Sequence, residues 1–376
     1  LKQEKMVLFS NKPRHLQKGK YMQNIPVFDG HNDALGRMYM SKSANPAQGF
    51  LNGQDEGHLD LIKARAGSMV GGFFALYSPS SDDPLGFLSK LQSDDDGVVS
   101  IPNPPPLGIE DAQRSIISQM SILAKIERES LGDVVICKTS TALQEAIRNE
   151  SLAILLHLEG ADAIDENFDF LEILYRFGLR SIGPVWSRDN IFGYGVPFRF
   201  PSSPDLGEGL TSRGEDLVRL CNEMKILVDT AHTTEKGFWD IAKISNAPLI
   251  ATHSNAHALC PSPRNLTDRQ LHAIRDTDGM VGLNFATGFL RSDGAMRPDT
   301  DLQLMVEQID YLIGVVGENH VGFGSDYDGA IVPESVATAA KLPVLVDALR
   351  HRGYSEELLQ KIASKNWLSV LEKTIE

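Results

Sequence analysis

Six side chains spread along the chain are of the types that bind a metal and move a proton: His31, Asp33, Glu159, His232, His253 and Asp326. His31 and Asp33 belong to Val27-Phe28-Asp29-Gly30-His31-Asn32-Asp33. Alternate residues of a strand share a face, so this imidazole and carboxylate can point the same way and share a cation, a pairing that suits Zn²⁺. Taken alone, a His-x-Asp pair reads better as a solvated turn. Glu159 closes the apolar stretch Leu152-Ala153-Ile154-Leu155-Leu156-His157-Leu158-Glu159. An unpaired carboxylate buried behind such a run is costly, and a metal or a salt bridge would remove the cost. Its two oxygens can also bridge two cations ~3.5–4 Å apart, as two-metal hydrolysis requires.

His232 and His253 each end a separate apolar run. One such histidine is usually structural. Two on successive runs, with His-x-Asp and Glu elsewhere, point to a second cation held by two imidazoles and one arm of Glu159. Asp326, in Gly324-Ser325-Asp326-Tyr327-Asp328-Gly329, is placed to take a proton from bound water or give one to a leaving amine. Asp328 competes for that role, or bonds within the following turn. His157 shares a face with Glu159 and is read as a hydrogen-bonding residue behind the site, with substrate contact as the alternative. His15, His58, His272 and His351 lie in polar stretches and are expected at the surface. His320 begins its run, the wrong end for chemistry.

The elements that must gather these residues are eight apolar runs, at 25–33, 71–78, 152–160, 179–186, 225–232, 247–254, 279–286 and 320–329. Short runs buried on both faces and alternating with helical patterns indicate a parallel sheet. The polar residues cluster at the carboxyl ends, so the expected fold is an α/β TIM-type (β/α)8 barrel with its site at that mouth. Ile116, Met120, Leu123 and Ile126 mark a helix near 111–128. Ser212 and Glu215 form a candidate capping box for the helix carrying Leu217, Leu220, Cys221 and Met224, and Trp239, Ile241 and Ile244 sit in another. Residues 1–24 read as an N-terminal arm and 25–376 as one barrel domain. Loop insertions fall at 79–110, with prolines at 104–106, and at 187–214, rich in Gly, Pro and aromatics. The first is a solvated excursion, or a lid or partner surface. The second follows a strand end, where it can cover the site.

A net charge of −14 argues against a nucleic-acid partner. No run of ~20 apolar residues predicts a membrane span. The expected protein is soluble and cytoplasmic, or periplasmic or secreted if a leader has been removed. The three cysteines, Cys137, Cys221 and Cys260, form no CxxC pair, so neither a disulfide framework nor a cysteine zinc site is expected.

Several stretches in order carry a family resemblance: DGHND at 29–33, LEG at 158–160, VDTAH at 228–232, ATHSNAHALCPSPRN at 251–265, VGLNF at 281–285, HVGFGSDYDG at 320–329 and GYSEELLQKIASKNWLSVLE at 353–372. Together the chain from about Val27 onward resembles the membrane (renal) dipeptidase family, the M19 group of zinc peptidases among the amidohydrolase-type barrels. The resemblance implies two Zn²⁺ ions, His31 and Asp33 on one, His232 and His253 on the other, and Glu159 bridging. A bridging hydroxide would attack the carbonyl of an L-L or L-D dipeptide, with Asp326 shuttling the proton. Arg264 matches the family's arginine for the substrate carboxylate, a task suited to a planar bidentate donor. A homodimer is also implied.

Two positions depart from the family pattern. Gly183-Pro184-Val185-Trp186 stands where many members have Leu-Thr-His, whose histidine contacts the substrate carbonyl. Trp186 can pack on substrate but offers only a donor, so Arg188, Asn190 or His157 would have to supply the polar contact. Ala286 replaces an aromatic. The expected activity is that of a zinc-dependent dipeptidase. Another binuclear barrel amidohydrolase (an amidase, lactonase or deaminase) is the alternative, although Glu159 stands where many of those place a carboxylated lysine. A non-catalytic metal-binding barrel would be expected to lack one of these residues, and all six are present.

Overall fold

The computed structural model describes residues 25–41, 43–80, 92–93 and 98–375. The expected arm at 1–24 lies outside the described residues. Eight parallel strands form the frame: β1 (Val27–Asn32), β2 (Met69–Tyr77), β3 (Leu152–Glu159), β4 (Leu179–Gly183), β5 (Leu227–Val228), β6 (Ile250–Ala251), β7 (Met280–Asn284) and β8 (Val321–Gly324). Each coincides with one of the eight apolar runs. Their order in space is β6-β7-β8-β1-β2-β3-β4-β5. A bridge between Asp229 and Ile250 joins the two ends of this order, with Thr230 N–H donating to the Ile250 carbonyl at 2.8 Å. The sheet is thus a TIM-type barrel. A short strand, Val134–Ile136, adds beside the start of β3 and has no counterpart among the runs.

Strand alternation divides the apolar residues into two layers. On β3, Ile154, Leu156 and Leu158 join the core beneath the helices, whereas Ala153 and Leu155 join Phe28, Phe73, Leu227, Ile250 and Met280 inside the barrel. The inner face of β3 therefore climbs from Ala153 and Leu155 to His157 and Glu159, apolar at the bottom and charged at the mouth. The C-terminal helix Asn366–Thr374 closes the bottom with Trp367, whose ring N–H donates to the Phe323 carbonyl at 2.9 Å. A Cβ on Gly30 would stand 2.7 Å from Trp367, Phe323 O and Thr252 O, so only glycine fits there. Trp367 is fully buried, and Trp367→Ala is expected to cost ~3–5 kcal/mol of stability, read by urea denaturation.

The helix Ser212–Met224 is capped by Thr211, not by the expected Ser212. Thr211 is the residue with extended backbone, and its Oγ1 accepts from Gly214 N–H at 3.1 Å while donating to the Ile191 carbonyl at 2.6 Å. Glu215 instead pairs with Arg219 at 2.7 Å. The two insertions meet. Val99–Ile101 pairs antiparallel with Phe198–Phe200, and Gln92–Ser93 adds to its other side. The first insertion is therefore more than a solvated excursion where it is described; residues 81–91 and 94–97 lie outside the described set. Among the described residues no helix is long and apolar enough to cross a membrane.

Candidate metal centre

The β1 ladder shifts register between Asp29 and Asn32. That irregularity lets Phe28 face the barrel interior while His31 and Asp33, of the opposite parity, reach the mouth. Asp33 N–H donates to the Tyr327 carbonyl at 2.8 Å and Asp326 N–H to the His31 carbonyl at 3.0 Å, which lashes the ends of β1 and β8 together. His232 and Asp326 follow their strands in the left-handed region, at φ 64° and 57°. Such a backbone costs ~1–3 kcal/mol for a residue other than glycine, and cases cluster at functional sites. Gly329 completes the rim. A Cβ there would lie 2.1 Å from Asp33 Oδ2 and 2.7 Å from Asp326 Oδ1.

All six side chains meet. The Nε2 atoms of His31, His232 and His253 lie 3.6, 3.1 and 3.5 Å from Glu159 Oε1. His232 and His253 Nε2 are 3.1 Å apart, and His31 Nε2 is 3.4 Å from Asp33 Oδ2. Two overlapping groups have donor atoms within 4.8 Å of one another: His31, Glu159 and His253, and His31, Asp33 and Asp326. His232 and His253 are oriented from behind, Nδ1 lying 2.9 Å from Ser187 Oγ and 2.8 Å from Thr252 Oγ1 respectively, so each turns Nε2 toward Glu159. His31 is fully buried and neither ring nitrogen makes a well-formed hydrogen bond. An unsatisfied buried polar group costs ~1–3 kcal/mol, a cost that a bound cation removes. The donor set fits a divalent ion.

The electrostatics point the same way. Burial and the neighbouring Asp33 carboxylate push Glu159 well above the usual carboxylate range and Asp326 up to about 6. Burial opposes charge on His31, but Glu159 and Asp33 outweigh it and draw the imidazole up to about 10. Burial holds His232 and His253 well below their ordinary value, with the Arg264 and His31 charges adding to it. Without a cation the carboxylates around His31 hold a proton on its ring at pH 7, and ligation requires that proton to leave. Metal uptake at pH 7 is expected to release about one proton per chain, read with an indicator dye in weak buffer, and affinity should fall as pH drops.

Above the cluster a cavity is floored by Asp33, Glu159, His232 and Asp326 and walled by Met40, Tyr77, Trp186, Phe198, Phe289, Met296 and Ile331. The Trp186 ring packs at a tilt 5.7 Å from His232 and 5.2 Å from Tyr77, and edge-on 5.6 Å from Phe198. Beside the wall, Arg264 is 3% exposed, with its guanidinium 5.4 Å from the Phe289 ring. It donates to the His253 carbonyl at 3.3 Å, but Nε has no partner. Burial lowers its pKa to about 10, which leaves it charged at neutral pH.

The family model for membrane dipeptidase, peptidase family M19, matches residues 17–376. The chain belongs to that family. A metallopeptidase from Rhodobacter sphaeroides, solved with a phosphinate mimic of the dipeptide L-Ala-D-Ala, is 46% identical, with a TM-score of 0.89 over 94% of this chain and 100% of that one. A family M19 metallopeptidase, dipeptidase AC, is 45% identical, with a TM-score of 0.87 over 94% and 99% of the two chains. An uncharacterized protein from the pqqA 5' region of Klebsiella pneumoniae is 46% identical over 254 residues, 68% of this chain and 94% of its own length. The protein is a metallo-dipeptidase of family M19.

Not every residue expected around the dipeptidase site reaches it. Asn190 is absent from the cavity lining, because its amide is spent on its own loop: Nδ2 donates to the Pro184 carbonyl at 2.9 Å and Oδ1 accepts from Phe192 N–H at 2.8 Å. Arg188 is fully buried on Asp162, Ser80 and the Ser78 carbonyl, at 2.9, 2.7 and 2.8 Å. His157 lies beneath the cluster, its Nδ1 3.0 Å from Ser181 Oγ and its ring 5.5 Å from that of His31. His58 is half-buried and is engaged by Asp328. Its N–H donates to Asp328 Oδ1 at 2.6 Å and its Nδ1 accepts from Asp328 N–H at 2.9 Å, while Arg37 Nε stands 2.9 Å from Asp328 Oδ2. Asp328 is thereby tied down, and Asp326 is the carboxylate that faces His31 and Asp33. Sequence reasoning missed Asn284, whose Nδ2 donates to Asp326 Oδ2 at 3.0 Å; as the last residue of β7 it carried the same strand-end signal as the candidate ligands. Tyr77, the last residue of β2, carried it too, whereas Phe289 and Met296 lie outside the strands and did not.

Proposed function

We propose that the protein hydrolyses dipeptides at a two-zinc centre, with His31 and Asp33 on one ion, His232 and His253 on the other, and Glu159 shared. The reading is carried by the convergence of three imidazole Nε2 atoms on one oxygen of Glu159, at 3.6, 3.1 and 3.5 Å. Neutral imidazoles around a carboxylate with a second oxygen to offer form a donor set that suits zinc and that two ions can share. When bound, the ions would polarise the scissile carbonyl and lower the pKa of a bound water toward neutrality, making it the nucleophile.

The chain's own residues do the rest. Asp326, held by Asn284, is placed to take the proton from the attacking water and return it to the leaving amine. Arg264 is buried with its Nε unpartnered, and a buried guanidinium is best satisfied by an anion; the substrate's terminal carboxylate would fill that role. Trp186, Phe198 and Phe289 exclude water and receive apolar parts of the substrate. The Rhodobacter sphaeroides metallopeptidase was solved with a mimic of L-Ala-D-Ala, which supports L-D dipeptides among the substrates here.

The test is metal analysis with a panel of L-L and L-D dipeptides, before and after chelation. About two zinc ions per chain with chelator-sensitive release of amino acids is the expected result. Two ions without cleavage of any dipeptide would shift the reading to another amidohydrolase reaction. A folded protein that takes up no ion would overturn it.

A further inference from the structure

Behind the His232–His253 pair lies a buried carboxylate to which the proposed reaction assigns no task. Asp229 is 1% exposed. Its Oδ1 accepts from Ala231 N–H at 3.0 Å and Thr252 N–H at 2.9 Å, and its Oδ2 lies 2.6 Å from Thr252 Oγ1. The same Thr252 hydroxyl is 2.8 Å from His253 Nδ1. A hydroxyl has one proton, and a carboxylate only accepts. The Thr252 proton therefore points to Asp229, and its oxygen accepts from His253 Nδ1–H. The neutral ring then carries its lone pair on Nε2, the atom that faces Glu159 at 3.5 Å and His232 at 3.1 Å.

We propose that Asp229 and Thr252 are positioning residues that hold His253 in its Nδ1–H tautomer, so that one half of the metal centre is preset to bind. The inference rests on the two-ion reading above. A second clamp in the barrel isolates what Thr252 adds. Asp29 grips Ser325 in the same way, at 2.8 Å to the N–H and 2.7 Å to the hydroxyl, but that hydroxyl reaches the His31 carbonyl at 3.1 Å and no imidazole. Both clamps pin neighbouring strand ends; only the one at Asp229 passes on to a ring nitrogen. His232 has its own hydroxyl partner in Ser187, so the effect is confined to His253. In Asp229→Asn the amide NH2 can face Thr252 Oγ1, turning the hydroxyl proton onto His253 Nδ1 and the ring proton onto Nε2, where it blocks coordination.

The test uses the full chain stripped of metal and titrated with cobalt(II) and zinc(II) against a chromophoric chelator. Wild type is compared with Thr252→Val, Thr252→Ser and Asp229→Asn, with circular dichroism confirming the fold. Thr252→Val and Asp229→Asn are expected to bind one ion ~10–100-fold more weakly, with the other unchanged, and Thr252→Ser to bind both as wild type does. Thr252→Val keeps the backbone N–H bond to Asp229 and the side-chain volume, so a merely structural clamp would leave its metal affinity intact; that result would overturn the proposal. If Asp229→Asn does not fold, the Val and Ser variants decide alone. A wild type that takes up a single ion would overturn the two-ion reading instead, and the tautomer proposal would then stand or fall on whether that ion is weakened in Thr252→Val.

Discussion

Glu159→Gln is expected to lose bound metal and at least ~10³-fold in kcat/KM, the equivalent of several kcal/mol of transition-state stabilisation. Glu159 Oε1 is the atom on which three imidazoles converge, at 3.6, 3.1 and 3.5 Å. An amide of the same shape has one acceptor oxygen and no charge, so it cannot serve two cations. It also presents an N–H to imidazole nitrogens that need to be bare. Metal analysis after dialysis, beside the rate, separates the two consequences. A variant that retains full metal and near-native kcat/KM would remove Glu159 from the centre. Because Glu159 is buried and its own pKa is raised by burial and by Asp33, the neutral side chain should not destabilise the metal-free fold. Thermal melting in the presence of chelator is expected to show little change, whereas the metal-loaded melting temperature should fall.

Asp326→Asn is expected to have the complementary signature: metal retained, kcat reduced by ~10²–10⁴-fold, the range in which a positioned acid–base group acts. Asp326 Oδ2 is held by Asn284 at 3.0 Å, and its backbone is fixed at φ 57° by the bond from its N–H to the His31 carbonyl. Asparagine tolerates that backbone well, so the change is chemical and not conformational. The pH profile gives a second reading. In the metal-free protein, burial and Asp33 raise this carboxyl to about 6; a cation beside Asp33 would offset the repulsion and lower it. The acid limb of kcat in the loaded enzyme should therefore lie below 6 and vanish in Asp326→Asn. An unchanged acid limb in the variant would assign the proton transfer to another group.

Much of the architecture was legible in the order of residues. Each of the eight strands coincides with an apolar run, because a strand buried on both faces needs uninterrupted apolar residues and the chain leaves the barrel through polar ones. The same rule made the candidate ligands visible: a His, Asp or Glu ending such a run must sit at the barrel mouth. The motifs, taken together and in order, resembled the M19 family, and residues 17–376 match it. Cap placement was less legible, since Thr211 and Ser212 both have capping side chains and only the backbone distinguishes them.

What the tertiary structure alone decided concerns partners far apart in sequence. Arg188 and Asn190 looked available for substrate, yet Asp162 and Ser80 claim the first and the loop's own backbone the second. His58 looked like an uncommitted surface residue; it is half-buried and clamps Asp328, 270 positions away. Parity along β1 would set Phe28 and His31 on opposite faces, and a register shift against β2 reconciles them. The left-handed turns at His232 and Asp326, and the Asp229–Thr252–His253 chain, exist only because neighbouring strand ends meet. Local periodicity records which residues must be buried and at which end of a strand a polar side chain emerges. It holds no record of which distant donor will stand opposite that side chain, because closure of the barrel creates that pairing.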